Sequence, residues 1–245
     1  MRLSENETCD SILGGRIRVI QPRNGYRFSV DSILLARFAS ARPRDRVLEL
    51  GAGSGVIAMI VAELARPREI MAIEIQPELA AICRRNAELN RLDSIRAVEM
   101  DLRAPGGAAA IARESFDLVI ANPPYRARNS GRESPHRGRR LARSEMAASL
   151  EDFVAAAARY ARPRGAVAMV FLADRVAELI SRLRENQLEP KRIRFVHPFA
   201  DARATSVLVE ARKGGGVEAA VEPPLIMYAA PGVYGAEART LLETA

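Results

Sequence analysis

The chain has 245 residues, 48% of them apolar, and a formal charge of +7. That length buries a full core as one α/β domain with short additions, and the absence of any run of ~18 apolar residues excludes a membrane-spanning helix. Cys9 and Cys83 lie far apart, neither in a CxxC nor in a Cys/His cluster, which argues against a structural metal and fits reduced thiols in a soluble cytoplasmic protein.

From the N-terminus, RIRVIQPRNGYRF (16–28) alternates loosely and predicts a hairpin after a polar start. SVDSILLARFAS (29–40) follows with helical spacing and Asp31 as its candidate N-cap. Strands and helices then alternate: RVLEL (46–50) extended, VIAMIVAELA (56–65) helical, EIMAIEI (69–75) extended, and PELAAICRRNAELN (77–90) helical with Pro77 in its first turn. SIRAVEM (94–100) is a third core strand, DLRAPGGAAAIARES (101–115) a loop with a short helix, and FDLVIANPPY (116–125) a fourth strand with its exit. SLEDFVAAAARYA (149–161) reads as a helix entered through Ser149, GAVAMVFLA (165–173) as a fifth strand and DRVAELISRLRENQ (174–187) as the next helix. LEPKRIRFVHPF (188–199) and ATSVLVEARK (204–213) close the sheet as an antiparallel pair. The Gly/Pro-rich KGGGVEAAVEPP (213–224) leads into a tail expected to add a strand and a short helix.

This alternation predicts a mainly parallel, seven-stranded α/β sheet with an antiparallel last pair and helices on both faces. Ligands of such sheets bind at the carboxyl ends of the strands. The division expected along the chain is an extension over 1–45 that covers the ligand site, a core over 46–213, and a C-terminal extension over 214–245 packed on it.

The positive charge is carried almost wholly by arginine, because Lys191 and Lys213 are the only lysines. It suits a polyanionic partner or reflects GC-rich coding, so its distribution is more informative than its total. The segment Arg126–Arg143 concentrates arginine, with Arg126, Arg137, Arg139 and Arg140 as candidate phosphate contacts. The alternative is a solvated basic loop. His136 and His197 have no sequence partner that suggests a metal or a catalytic pair, and no metal is expected.

VLELGAGSGVIAMIV is a buried strand, a glycine turn and a helix, in which Gly51, Gly53 and Gly55 let backbone pass close to a ligand. Glu74, nineteen residues beyond Gly55, closes the next strand, and by spacing alone a dinucleotide site fits as well. Two features favour a ligand bearing positive charge. Glu49 stands just ahead of the turn, where it would oppose a pyrophosphate but suit a sulfonium and an ammonium, and Glu99 and Asp101 follow at the end of the third strand. The competing role for Glu74, Asp101 and above all Glu99 is to cap the loop or helix that follows.

Asn122-Pro123-Pro124-Tyr125 leaves the fourth strand. A delocalised amino nitrogen becomes nucleophilic only when both its N–H bonds are accepted and its lone pair is turned toward the electrophile. The Asn122 side-chain carbonyl and the Pro123 backbone carbonyl can be the two acceptors, held by the restricted proline backbone. Tyr125 can stack on a planar base. Otherwise Pro-Pro merely ends a strand and Tyr125 packs on its rim.

With GYRFSVDSILLARF, ELGAGSG, AIEI, DLVIANPPY and the late DARATSVLVEARKGG in order, the chain resembles the small-domain class I methyltransferases with a Rossmann-like fold. Among them it is most similar to the bacterial tRNA(Val) adenine-37 N6-methyltransferases. The resemblance implies S-adenosylmethionine as cofactor. Glu49, Gly51 and Gly53 would hold its methionine end, Glu74 its ribose, and Asp101 its adenine amino group, with Asp31 and Asn122 as further contacts. It also implies Asn122, Pro123 and Tyr125 as the catalytic set, a tRNA partner, no membrane partner, and a monomer as the working assumption. Enzymes that methylate a glutamine side chain in release factors share NPPY but usually carry a helical N-terminal domain. About 45 residues precede the first core strand here, and this with the arginine segment favours RNA over a protein glutamine or another base.

Overall fold

The computed structural model describes residues 3–25, 27–104, 111–125 and 148–243. The expected short helix between 101 and 115 falls partly outside those residues, and Arg126, Arg137, Arg139 and Arg140 fall wholly outside them.

Five strands form the parallel core: β3 (Arg46–Leu50), β4 (Glu69–Glu74), β5 (Ile95–Glu99), β6 (Phe116–Ala121) and β7 (Ala161–Leu172). They lie in the order β5-β4-β3-β6-β7. Next to β7 runs β9 (Ser206–Lys213), antiparallel to it, and then β8 (Leu188–His197), antiparallel to β9. These strands are the expected sheet with its antiparallel closing pair. Two short strands lengthen it, because β10 (Ala220–Val221) and β11 (Leu225–Ile226) both pair in parallel with β8. The tail thus adds more than one strand. A small hairpin, β12 (Tyr228–Ala230) with β13 (Val233–Tyr234), precedes its expected helix α6 (Ala236–Glu243).

Side chains alternate between the two sheet faces, and each face has its own core. Val47, Leu118 and Ile120 meet α1 (Val30–Phe38) and α2 (Val56–Ala65) on one side. Leu48, Leu50, Val119 and Ala121 meet α4 (Leu150–Tyr160) and α5 (Val176–Glu185) on the other. As expected, α4 is entered through Ser149, whose hydroxyl accepts from the Asp152 backbone while Asp152 reaches back to the Ser149 N–H. Helix α5 begins later than its sequence pattern, because a 3-10 turn occupies Ala173–Arg175.

The N-terminal hairpin differs from expectation. It pairs β1 (Glu7–Ile12) with β2 (Ile17–Pro22), so the segment read as a polar start is its first strand. Thr8, Asp10 and Ser11 leave little apolar periodicity there, and the turn is made by Gly14 and Gly15, both at positive φ. The hairpin is anchored by fully buried Asn86 of α3 (Pro77–Leu89). Its amide nitrogen donates to the carbonyls of Ile20 and Ser54, each at 2.9 Å, and its oxygen accepts from Ile20 N–H at 2.7 Å. One side chain thereby joins β2, α3 and the glycine turn.

Candidate active site

The strand order reverses between β3 and β6, since β4 and β5 build outward from one and β7 from the other. At such a switch point the two following loops diverge and leave a crevice at the carboxyl ends. The β3–β6 register pairs Leu50 with Ala121, which places Gly51 and Asn122 side by side on that rim. Phe28, Ser32, Glu49, Gly51, Ser54 and Asn122 are among the residues that line one cleft there. The glycine turn and the NPPY motif, some seventy residues apart in sequence, are thus two walls of one site.

Glu49 shares a face of β3 with Val47 and points toward α2. It is 1% exposed, and its Oε2 accepts the Ala58 N–H at 2.9 Å. Ala58 lies in the first turn of α2, whose N-cap Gly55 has no side chain to offer, so the carboxyl from the preceding strand takes over that capping bond. No arginine or lysine among the described residues pairs with Glu49. Burial pushes its carboxyl up to about 8, the Ala58 hydrogen bond opposes this, and the charge of Glu74 adds to it.

Glu74 crosses the turn from the end of β4. Its Oε2 accepts Gly53 N–H and its Oε1 accepts Gln76 N–H, both at 2.9 Å. It therefore braces the glycine turn and also caps the approach to α3, the second of these being the capping role weighed from sequence. Gly51, Gly53 and Gly55 all have positive φ. At Gly55 the limit is steric as well, because an added Cβ would run into Cys83 Sγ. That thiol, pushed up to about 12 by burial and then by Glu49 and Glu74, is inert packing.

Asp101 lies beyond β5 and is held by Arg103, with Nη2 to Oδ2 at 2.6 Å. This hydrogen-bonded ion pair keeps its carboxyl below the usual range. Glu99 is exposed at the end of β5 and is not among the residues that line the cleft.

In the motif, Pro123 is buried, Pro124 exposed, and Asn122 and Tyr125 half-buried. The Asn122 amide nitrogen donates to Ser32 Oγ at 3.3 Å, which leaves its carbonyl as the acceptor on the other side. The Tyr125 hydroxyl donates to Asp31 Oδ2 at 2.7 Å, and its ring meets Phe171 edge-on at 6.1 Å. Asp31 is not the N-cap of α1. Ser29 occupies that position and Asp31 sits in the first turn, because its carboxylate is drawn across the rim to Tyr125 and to Ser206 Oγ at 3.0 Å.

The methyltransferase small-domain model matches residues 29–186, well over half of the chain. The chain belongs to this methyltransferase family. A relative from Porphyromonas gingivalis named tRNA1(Val) (adenine(37)-N6)-methyltransferase is 27% identical, covering 93% of this chain and 91% of that one. One of the same name from Parabacteroides distasonis is 29% identical, covering 75% and 76%. Among solved structures, a predicted O-methyltransferase from Agrobacterium tumefaciens superposes with a TM-score of 0.69 at 26% identity, covering 86% of this chain and 94% of that one. M. jannaschii TYW2 in complex with AdoMet has the same fold, with a TM-score of 0.58 at 16% identity and coverage of 86% and 88%.

The methyltransferase depends on S-adenosylmethionine, and its residues fit that group. A buried acid without a cationic partner at a cleft complements a sulfonium and an ammonium, which is the position of Glu49. At Gly51, which lines the cleft, both the positive φ and the Phe153 ring, 3.1 Å from any added Cβ, hold the position to glycine, so the backbone there stays bare.

Sequence reasoning missed Ser32, Ser206, Phe171 and Arg175, whose guanidinium donates to the Tyr125 carbonyl at 3.2 Å and lies 4.8 Å over the Phe171 ring. Nothing in their local sequence marks them. Each is an ordinary residue of a helix, strand or turn until the sheet brings it to the rim.

Proposed function

We propose that this methyltransferase acts on the exocyclic N6 amino group of an adenine in tRNA, with adenine 37 of tRNA(Val) as the target. The observation that carries this reading is the placement of Asn122 beside Gly51 at the switch point, its amide nitrogen turned toward Ser32. The names borne by relatives that align over nearly the whole chain support the substrate class.

The cofactor supplies an electrophilic methyl group on a sulfonium. The chain's own residues do the rest. The Asn122 carbonyl and the Pro123 backbone carbonyl accept the two N–H bonds of the target amine, which turns its lone pair out of conjugation and toward the cleft. Two successive prolines limit the backbone states of the loop, so the acceptors are set before substrate arrives. Tyr125 lays its ring on the base, a contact worth roughly 1–3 kcal/mol in other single-strand binders. No strong base is needed, because the nitrogen is cationic once its new bond to carbon has formed and sheds a proton readily. Glu49, Gly51, Gly53, Glu74 and Asp101 hold the cofactor, with Glu49 opposite its positive charges. A base in an anticodon loop is already partly unpaired and is cheaper to evert into such a pocket. Arg126, Arg137, Arg139 and Arg140, directly after the motif in sequence, contact the RNA backbone.

The test is to incubate the protein with labelled methyl donor and, separately, total RNA, genomic DNA and ribosomal extract. Label in the RNA fraction, recovered as N6-methyladenine after nucleoside digestion, is the expected result. Label in protein would move the reading to a glutamine amide, and label in DNA to another base.

A further inference from the structure

We propose that Asp31 is a positioning residue for the target-base pocket, not a cofactor contact. The first turn of α1 would then set both chemical residues of the NPPY loop.

Two observations converge on that turn. Both carboxylate oxygens of Asp31 are engaged by protein donors: Oδ2 by the Tyr125 hydroxyl at 2.7 Å and Oδ1 by Ser206 Oγ at 3.0 Å. The adjacent residue, Ser32, is 3% exposed, lines the cleft and accepts the Asn122 amide N–H. Phe171 of β7 also meets the Tyr125 ring edge-on, and Arg175 binds the Tyr125 carbonyl. A tyrosine ring held near its backbone end can still swing about its Cα–Cβ bond. A hydroxyl bonded to a carboxylate that is itself anchored by Ser206 restrains the far end, and a charge-assisted hydrogen bond is the strong kind. Asp31 thereby fixes where the far end of the ring lies against a base, while Ser32 fixes which end of the Asn122 amide faces the substrate. Because Ser206 opens β9, the clamp joins α1, the motif loop and the antiparallel end of the sheet. The same short turn borders the cofactor cleft, so it spans both ligand sites.

This inference rests on the methyltransferase reading of the site, and its test separates the two. Asp31→Ala, Tyr125→Phe and the double variant are compared for cofactor affinity by calorimetry and for kcat and KM on an anticodon stem-loop RNA. Asp31→Ala is expected to lower kcat/KM about tenfold, equivalent to ~1.4 kcal/mol, with cofactor Kd changed less than about twofold. In the Tyr125→Phe background it should have almost no further effect, since residues acting through one another are non-additive. Asp31→Asn, which keeps one acceptor, should recover part of the loss. Cofactor affinity that falls in step with turnover, or two losses that multiply, would overturn the proposal. Tyrosine ring 13C resonances, with Tyr125 assigned from Tyr125→Phe, give a readout that needs no substrate. The Tyr125 signal should shift or broaden in Asp31→Ala, and an unchanged signal is a second way to sink the idea. If wild-type protein methylates no RNA, the substrate reading fails while the resonance still decides the role of Asp31.

Discussion

Replacing Glu49 with glutamine separates the carboxyl's charge from its shape. In the cofactor-free protein the group is 1% exposed and held at about 8, chiefly by burial, against an ordinary value of 4.5. A folded-state value above the unfolded one means that the folded protein binds more protons between the two. The associated stability is therefore fully present below about pH 4.5 and is lost as pH rises through about 8. At ~1.36 kcal/mol per decade of proton affinity, those two values set a ceiling of ~5 kcal/mol on the loss. Glutamine keeps the Ala58 hydrogen bond and cannot ionise, so Glu49→Gln should remove this slope and be the more stable protein at pH 8. Cofactor binding should respond in the opposite sense. A cationic ligand favours the ionised carboxyl, so binding near pH 7 releases a proton and wild-type affinity tightens as pH rises toward 8. Glu49→Gln should weaken binding by about 10- to 100-fold, the scale of a lost charged hydrogen bond. Urea denaturation from pH 5 to 9, with calorimetry in buffers of different ionisation enthalpy, measures both effects. Parallel stability profiles for the two proteins, together with equal cofactor affinities, would refute the assignment of Glu49 as the buried counter-charge.

Asn122→Ala should abolish methyl transfer while cofactor Kd, measured by calorimetry, stays within a few-fold, because the residue acts on the amine; retained turnover would remove it from the mechanism. Gly55→Ala should destabilise the fold by about 2–4 kcal/mol in urea denaturation, combining left-handed backbone strain with overpacking against Cys83. A second change, Cys83→Ala, should recover the overpacking part and leave the strain, and no recovery would show that the contact is not the cause. Neutralising Arg137, Arg139 and Arg140 should weaken RNA binding and flatten its dependence on salt, as fewer counterions are then released. A salt slope equal to that of wild type would mark the segment as a solvated loop.

Much of the scaffold was readable because it rests on short-range physics. Val47 to Leu50, apolar but for Glu49, and the apolar runs Ile70 to Ile73 and Leu118 to Ala121 are flanked by polar residues or glycine, and they became the central strands. The N-terminal hairpin was displaced by one strand because Thr8, Asp10 and Ser11 hide the alternation of an edge ribbon with one wet face. Asp31 looked like a helix cap because acids commonly are, yet its partners are Tyr125 and Ser206, 94 and 175 residues away. What the chain determines by itself is the alternating α/β order, the glycine turn behind Glu49 and the restricted backbone of Asn122-Pro123-Pro124-Tyr125 at a strand exit. Each follows from backbone restriction and periodicity within a few residues. Only the tertiary structure decides that Gly51 and Asn122 share a rim, that Glu49 is buried with no cation beside it among the described residues, and that Ser32, Ser206 and Arg175 attend the motif. Those facts depend on strand order and register, which bring distant side chains within hydrogen-bonding distance and leave no local trace in the sequence.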